Sequence, residues 1–369
     1  MIECFSQSYP EARDKFLNAA RKADARLSTY RTNETGPDGG SLSTDVALIG
    51  PEDARAVLVT ISGTHGVEGF YGSATQVEWL TRGEGSGLNG AAALHIHAIN
   101  PYGFAWLRRT NENNVDINRN WIDFNAPLPT NTLYDELAAD LCPEDWSPET
   151  QAQTGARLQS WAARHGPATF QKAVSGGQWA YPAGLFYGGS GISWSRQTLT
   201  QILTTHLRKA AHVCVLDFHT GLGPYGYAEP IIGRSRTDPA FARVSAWIGG
   251  AGKSLFGDGS ISAEIKGDSL TAIPGLLADV HVDTVAMECG IRPINEVALA
   301  LRADTWLHTH GDPLSPQAKP IKDMIRAAFH SDDPLWQGMA LGQGLAACRA
   351  ALGGLRDATQ RSRLSRSTP

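Results

Sequence analysis

Two stretches of the chain, "ARAVLVTIS" and "AHVCVLDFHTG", carry apolar runs the length of a short strand, and "AALHIHAIN" reads as a third strand, cut off by Asn100-Pro101. A strand that is apolar on both faces must be covered on both. Helical patterns surround these runs: "FYGSATQVEWLTRG", ending at Gly83, "SWSRQTLTQILTTHLRKA" and, after Pro293, "INEVALALRADTWLHTHG". Such strands alternating with helices predict an α/β fold, a mixed or mainly parallel sheet with helices on both faces. Apolar residues are 42% of the 369 and charged residues 19%, so a large core is available.

Further elements follow from local patterns. "SYPEARDKFLNAARKADARLSTY" reads as a helix capped by Ser8, with Phe16, Ala20 and Leu27 roughly on one face. "TNETGPDGGSLST" reads as a loop, "DVALIG" as a strand and "TVAMECG" as a strand exit. The span at about 125–191 is less regular, helix plus loop, and about 312–357 is helical. "RSRLSRSTP" reads as a frayed tail. With no repeat and no clear linker, residues 1–369 are expected to form one domain.

Several function classes fall away. Net charge is −5 with both signs dispersed, so nucleic acid is not an expected partner. The five cysteines include no C-x-x-C, against both a disulfide scaffold and a cysteine zinc cluster. No apolar run is long enough to span a membrane and the first residues lack a secretory pattern, so a cytoplasmic protein is expected.

Three strand exits carry polar residues beside glycine: His65 and Glu68 in "ISGTHGVEGF", His219 in "LDFHTG" and Glu288 in "AMECG". In open α/β sheets ligands gather beyond the carboxyl ends of the strands. Two imidazoles and one carboxylate form a three-ligand set that leaves a position for water, the composition of a catalytic zinc site. Each residue alone has a plainer reading, as a hydrogen-bonded histidine or a salt-bridged glutamate.

The stretch "NPYGFAWLRRTNENNVDINRNW" changes the weighing. Together with His65-x-x-Glu68, His219 and Glu288 it gives H-x-x-E, N-P-x-G, R-x-N…V-D-x-N-R-N-W, a distant His and a distant Glu, in that order. The chain thereby resembles the zinc carboxypeptidase (M14-like) superfamily, in its bacterial DUF2817-like branch. More distantly it resembles succinylglutamate desuccinylase and aspartoacylase. The resemblance implies a twisted, mainly parallel mixed sheet of about eight strands and one catalytic domain. It implies one Zn2+ per chain, held by His65, Glu68 and His219. Glu288 would be general base and acid, and Arg109 would polarise the scissile carbonyl. Arg108 is adjacent, and a one-residue shift would give it that role. Asn118 and Arg119 would grip a substrate carboxylate, since a planar guanidinium takes one bidentately.

The chain departs from the family pattern between Trp121 and His219, where the material at about 125–191 reads as a wall or lid. For the tyrosine that closes over the carboxylate, Tyr225, Tyr227 and, less well placed, Tyr187 are candidates. Competing signals have plainer readings. "GLGPYG" fits G-x-G-x-x-G, but a dinucleotide site needs a helix to start there, and "YAEPIIGRS" reads as loop and strand. His95 and His97 share a strand face and read as hydrogen-bonded core residues. His308 and His310 suit a helix C-terminus, and Cys289 reads as packing. The absence of G-x-S-x-G weakens a serine hydrolase.

The expected activity is zinc-dependent hydrolysis of an amide bond next to a free carboxylate, with a small peptide or N-acyl amino acid as substrate. A deacylase of N-acyl amino acids is the first alternative. The second is a binding protein that keeps the metal without turnover.

Overall fold

The computed structural model describes residues 2–257, 259–262 and 265–367, the last eight by backbone alone. The first helix, Tyr9–Lys22, begins where the Ser8 side chain accepts the Glu11 N–H. It is shorter than its pattern predicts. Asp24 takes a left-handed φ of 54°, the chain turns, and Arg26–Thr35 becomes strand β1, antiparallel to β2 (Ser41–Ile49). Part of the expected helix and part of the expected loop are therefore strand. β1 lies at the sheet edge, alternating exposed and half-buried positions, so it lacks the apolar run that marks an inner strand.

Six more strands follow: β3 (Ala56–Ile61), β4 (Ala92–His97), β5 (His212–Tyr225), β6 (Ala228–Ile232), β7 (Lys253–Ser254) and β8 (His281–Gly290). They form one eight-stranded sheet in the order β1-β2-β4-β3-β5-β8-β6-β7. The inner pairs β4-β3, β3-β5 and β5-β8 are parallel, while β1-β2, β2-β4 and β6-β8 are antiparallel. The sheet is thus mixed, with a parallel centre.

The pleat sorts the core into two layers. Leu58, Leu216, Phe218 and Met287 meet Phe16, Tyr71, Trp336 and Leu355, from helices Tyr9–Lys22, Gly69–Thr81 and Pro334–Ser367. Val57, Val59, Val213 and Val215 meet Leu199, Ile202 and Leu203 of helix Trp194–His206 and Ile273 of helix Ser269–Leu276. Helices therefore cover both faces. Each such fully buried side chain stabilises the fold by ~1.5–3 kcal/mol. Asp217, His219 and Glu288 fall on the second of these faces by their parity with Val215 and Val282.

The span at about 125–191 holds helices Thr132–Asp135, Ala138–Leu141, Pro148–His165 and Pro167–Ser175. Its Tyr134, Leu158 and Trp161 share a cluster with Leu301, Ile325 and Phe329, from helices Ile294–Thr309 and Ala318–Phe329. No helix among the described residues is long and apolar enough to cross a membrane. Of the tail expected to fray, backbone through Ser367 continues the last helix, and residues 368–369 lie outside the described residues.

Candidate metal centre

β3 stops at Ile61, and the chain turns through Gly63 (φ 68°) into a short 3-10 turn, Gly66–Glu68. A Cβ on Gly66 would come within 2.0 Å of the Gly103 carbonyl carbon, so this turn packs straight onto the N-P-x-G segment. Asn100 caps that segment by accepting the Gly103 N–H at 3.0 Å. The backbone N–H groups of Gly66 and Val67 then donate to the Arg109 and Arg108 carbonyls. Arg109 is thereby fixed beside His65 and Glu68.

His65, Glu68 and His219 are all buried, and each offers a ligand atom within 4.8 Å of the others. The two imidazole centroids are 5.0 Å apart. Glu68 Oε2 lies 3.2 Å from His219 Nδ1 and accepts the Thr220 N–H at 3.1 Å. On its far side His219 Nε2 is 2.9 Å from Asp217 Oδ2. Arg109 donates to Glu68 Oε1 at 2.9 Å and to Asp116 Oδ2 at 2.9 Å, and its Nη2 lies 2.8 Å from His65 Nε2. Glu288 stands opposite His219 on β8 and accepts the Leu222 N–H at 3.1 Å.

The electrostatics differ group by group. Burial, then repulsion from Glu68, pushes Glu288 up to about 7. Burial also disfavours the charged form of Asp116, but Arg109, His65 and Arg119 override it and hold this carboxyl well below the usual range. Burial and then Arg109 depress His65. Burial pulls His219 the same way, yet Asp217 and Glu68 prevail and raise it.

A metal fits this donor set. His65 Nδ1 is buried without a hydrogen-bond partner. Metal–ligand bonds of ~2.0–2.2 Å need ligand atoms roughly 3.3 Å apart, within side-chain adjustment of what is seen. Two imidazoles and a carboxylate suit zinc, as well as several other first-row ions.

Of the remaining sequence candidates, Arg109 and Glu288 join the cluster. Arg108 does not: it is buried against Asn114 (2.9 Å) and 3.7 Å from Asp304, so the adjacent alternative belongs to another network. Asn118 and Arg119 are close in the chain but otherwise engaged. Asn118 Oδ1 accepts from the Ser269 N–H and hydroxyl, and Arg119 Nε and Nη2 donate to the Ser175 carbonyl. Burial, chiefly, lowers Arg119 to about 10. Tyr225 is 44% exposed and its hydroxyl donates to Asp333 at 2.7 Å, away from the cluster. Tyr227 is also exposed, and Tyr187 is buried with its carbonyl accepting the Asp116 N–H.

The span at about 125–191 is pinned to the segment 114–120. Asn114 Nδ2 donates to the Pro182 and Gly184 carbonyls, and Asn120 Nδ2 to those of Gly188 and Gly191. The Phe186 ring centroid lies 5.2 Å from Arg109 Cζ and 5.4 Å from Arg119 Cζ. Sequence reasoning gave no role to Asp116, Asp217, Thr64 or Phe186. Asp217 carried a usable signal, since two residues before His219 on a strand means the same face; Phe186 carried none.

The competing signals resolve as packing. Gly221–Gly226 runs from the end of β5 into a turn before β6, with no helix starting there. His308 is buried beside Lys322 Nζ at 2.7 Å, and Cys289 is a core residue whose thiol burial pushes up to about 12.

A family model described as "Protein of unknown function (DUF2817)" matches residues 5–343. No curated protein matches the chain. Among solved structures the chain is similar to bovine thrombin-activatable fibrinolysis inhibitor, at 12% identity and a TM-score of 0.47, over 95% of this chain and 97% of that one. It is similar as well to carboxypeptidase A from Helicoverpa armigera, at 12% identity and a TM-score of 0.48, over 94% of this chain and 74% of that one.

Proposed function

The chain belongs to the DUF2817 family, and we propose that this member is a zinc-dependent hydrolase of amide bonds, its metal held by His65, Glu68 and His219. One observation carries the reading: two imidazoles and a carboxylate, far apart in sequence, converge within 4.8 Å beside Glu288 and Arg109. A metal in such a set supplies Lewis acidity and a nucleophile available at neutral pH.

The chain's own groups do the rest. Glu288, near pKa 7, takes the proton of the attacking water and returns it to the leaving nitrogen. Arg109, aimed by Asp116, meets the negative charge that develops on the carbonyl oxygen. The substrate is a small peptide with a free carboxylate or an N-acyl amino acid. For Asn118 and Arg119 to grip that carboxylate they must exchange their partners Ser269 and Ser175.

A second reading, N-acyl amino acid deacylation, uses the same residues and differs only in substrate.

The test compares wild type with Glu288→Gln on N-acyl amino acids and on dipeptides with free C-termini. The variant is expected to keep its metal and to lose ~10²–10⁴-fold in kcat. Equal turnover in the two proteins sinks the reading. The ratio of the two substrate classes in wild type separates deacylase from peptidase. Metal without turnover on any member of the panel leaves the non-catalytic binding protein.

A further inference from the structure

We propose that Asp217 is a positioning residue for the metal centre, clamped by Thr64, so that one hydrogen-bonded chain ties the exit of β3 to β5. The inference rests on His65, Glu68 and His219 being a metal site, and it concerns how His219 is held there.

A neutral imidazole has one N–H and one lone pair. His219 Nε2 lies 2.9 Å from Asp217 Oδ2, while Nδ1 faces Glu68 Oε2 at 3.2 Å. With its N–H turned to Asp217, His219 presents the Nδ1 lone pair on the side where the other ligand atoms lie. Asp217 thus selects both the tautomer and the ring orientation.

Asp217 is itself fixed. The Thr64 hydroxyl donates to it, 2.8 Å from Oδ1 and 3.0 Å from Oδ2. Thr64 immediately precedes His65, so the same contact sets where the β3 exit meets β5. Both residues are 1% exposed.

The chemistry of Asp217 sets it apart from a packing residue. Asp116 is neutralised by Arg109, with Arg119 at 3.9 Å. Asp217 has no lysine or arginine partner among the described residues, and its one ion-pair contact is His219. A buried carboxylate whose only charged neighbour is a histidine is costly to keep once that ring is neutral. Asparagine would fill the same space at lower cost but would not draw the imidazole N–H as strongly. The carboxylate has a use if His219 must be a strong, correctly turned donor.

The experiment measures zinc affinity of the full-length purified chain by competition with a chromophoric chelator, with circular dichroism as the check on folding. Asp217→Asn is expected to bind zinc ~10–100-fold more weakly than wild type. Thr64→Val should weaken binding by less, and the double variant no more than Asp217→Asn alone, because both act through one chain of contacts. The visible spectrum of the cobalt(II)-loaded protein should shift in Asp217→Asn, which a purely structural role would not produce. A folded Asp217→Asn with affinity within about twofold of wild type overturns the proposal. Should that variant not fold, Thr64→Val decides: unchanged affinity overturns the proposal and weakened affinity supports it. A wild type without zinc affinity instead removes the metal site itself, and this inference with it.

Discussion

The chain buries two pairs of histidines in or beside one sheet, and they differ in almost everything except burial. His95 and His97 lie inside β4. His95 Nδ1 meets the Thr60 hydroxyl at 2.8 Å, and His97 Nε2 meets the Ser73 hydroxyl at 2.9 Å. Their rings pack on Trp79 and Phe16, each with centroids 4.6 Å apart. With neutral partners, burial dominates and pulls them down to about 3 and about 4. His65 lies just past the end of β3 and His219 within β5, beyond the stretch that pairs with β3, among Glu68, Asp116 and Asp217. There the same burial is contested, and for His219 it is overcome. The difference teaches that burial alone does not suit a histidine to hold a metal. Neighbouring carboxylates do, because they orient the ring and can balance a cation.

The largest expected effect breaks this comparison directly. His65→Ala and His219→Ala should each reduce metal content from one per chain to near zero, as read by elemental analysis of untreated protein. His95→Gln and His97→Gln should keep the full complement. Metal lost equally from all four would mean that the β4 pair belongs to the centre.

Much of this was legible in the sequence, and the boundary is physical. Strands β3, β4, β5 and β8 announce themselves because both of their faces are buried. The candidate ligands drew notice because each sits in or just after such a run. β1 is not legible, since an edge strand half in water has no apolar signature. Nor is the engagement of Arg119. Its partner Ser175 is 56 residues away and offers a backbone carbonyl, which every residue has. Arg108 and Arg109 could not be separated by sequence, because adjacent side chains of opposite destination look alike until the backbone is placed.

The two arginines packed on Phe186 sharpen the comparison with an intermediate effect. Arg109 faces the candidate ligands, and Arg119 pins the span at about 125–191. Arg109→Met should cost ~10²–10³-fold in kcat with metal retained. Arg119→Met should chiefly lower stability, by about 1–3 kcal/mol in urea unfolding, because the Ser175 carbonyl loses a charged donor. A tenfold or larger rise in KM at unchanged stability would return Arg119 to substrate binding.

The smallest effect is one of pH, and it isolates the β4 pair. His95 and His97 have folded pKa values near 3 and 4, against ~6.5 when unfolded. Above pH 6.5 both states are neutral at these sites, and neither group adds a pH dependence. Below it the unfolded chain binds protons that the folded chain refuses. Stability therefore falls as pH drops from about 6.5 towards 3–4, by up to ~1.4 kcal/mol per pH unit for each ring. His97→Gln should remove one such contribution, so its unfolding free energy should change less between pH 7 and pH 5 than that of wild type, whatever its stability at pH 7. An unchanged slope would mean that His97 takes up its proton in the folded core at about the same pH as in the unfolded chain. Burial would then not hold this ring neutral, and the contrast with His219 would weaken.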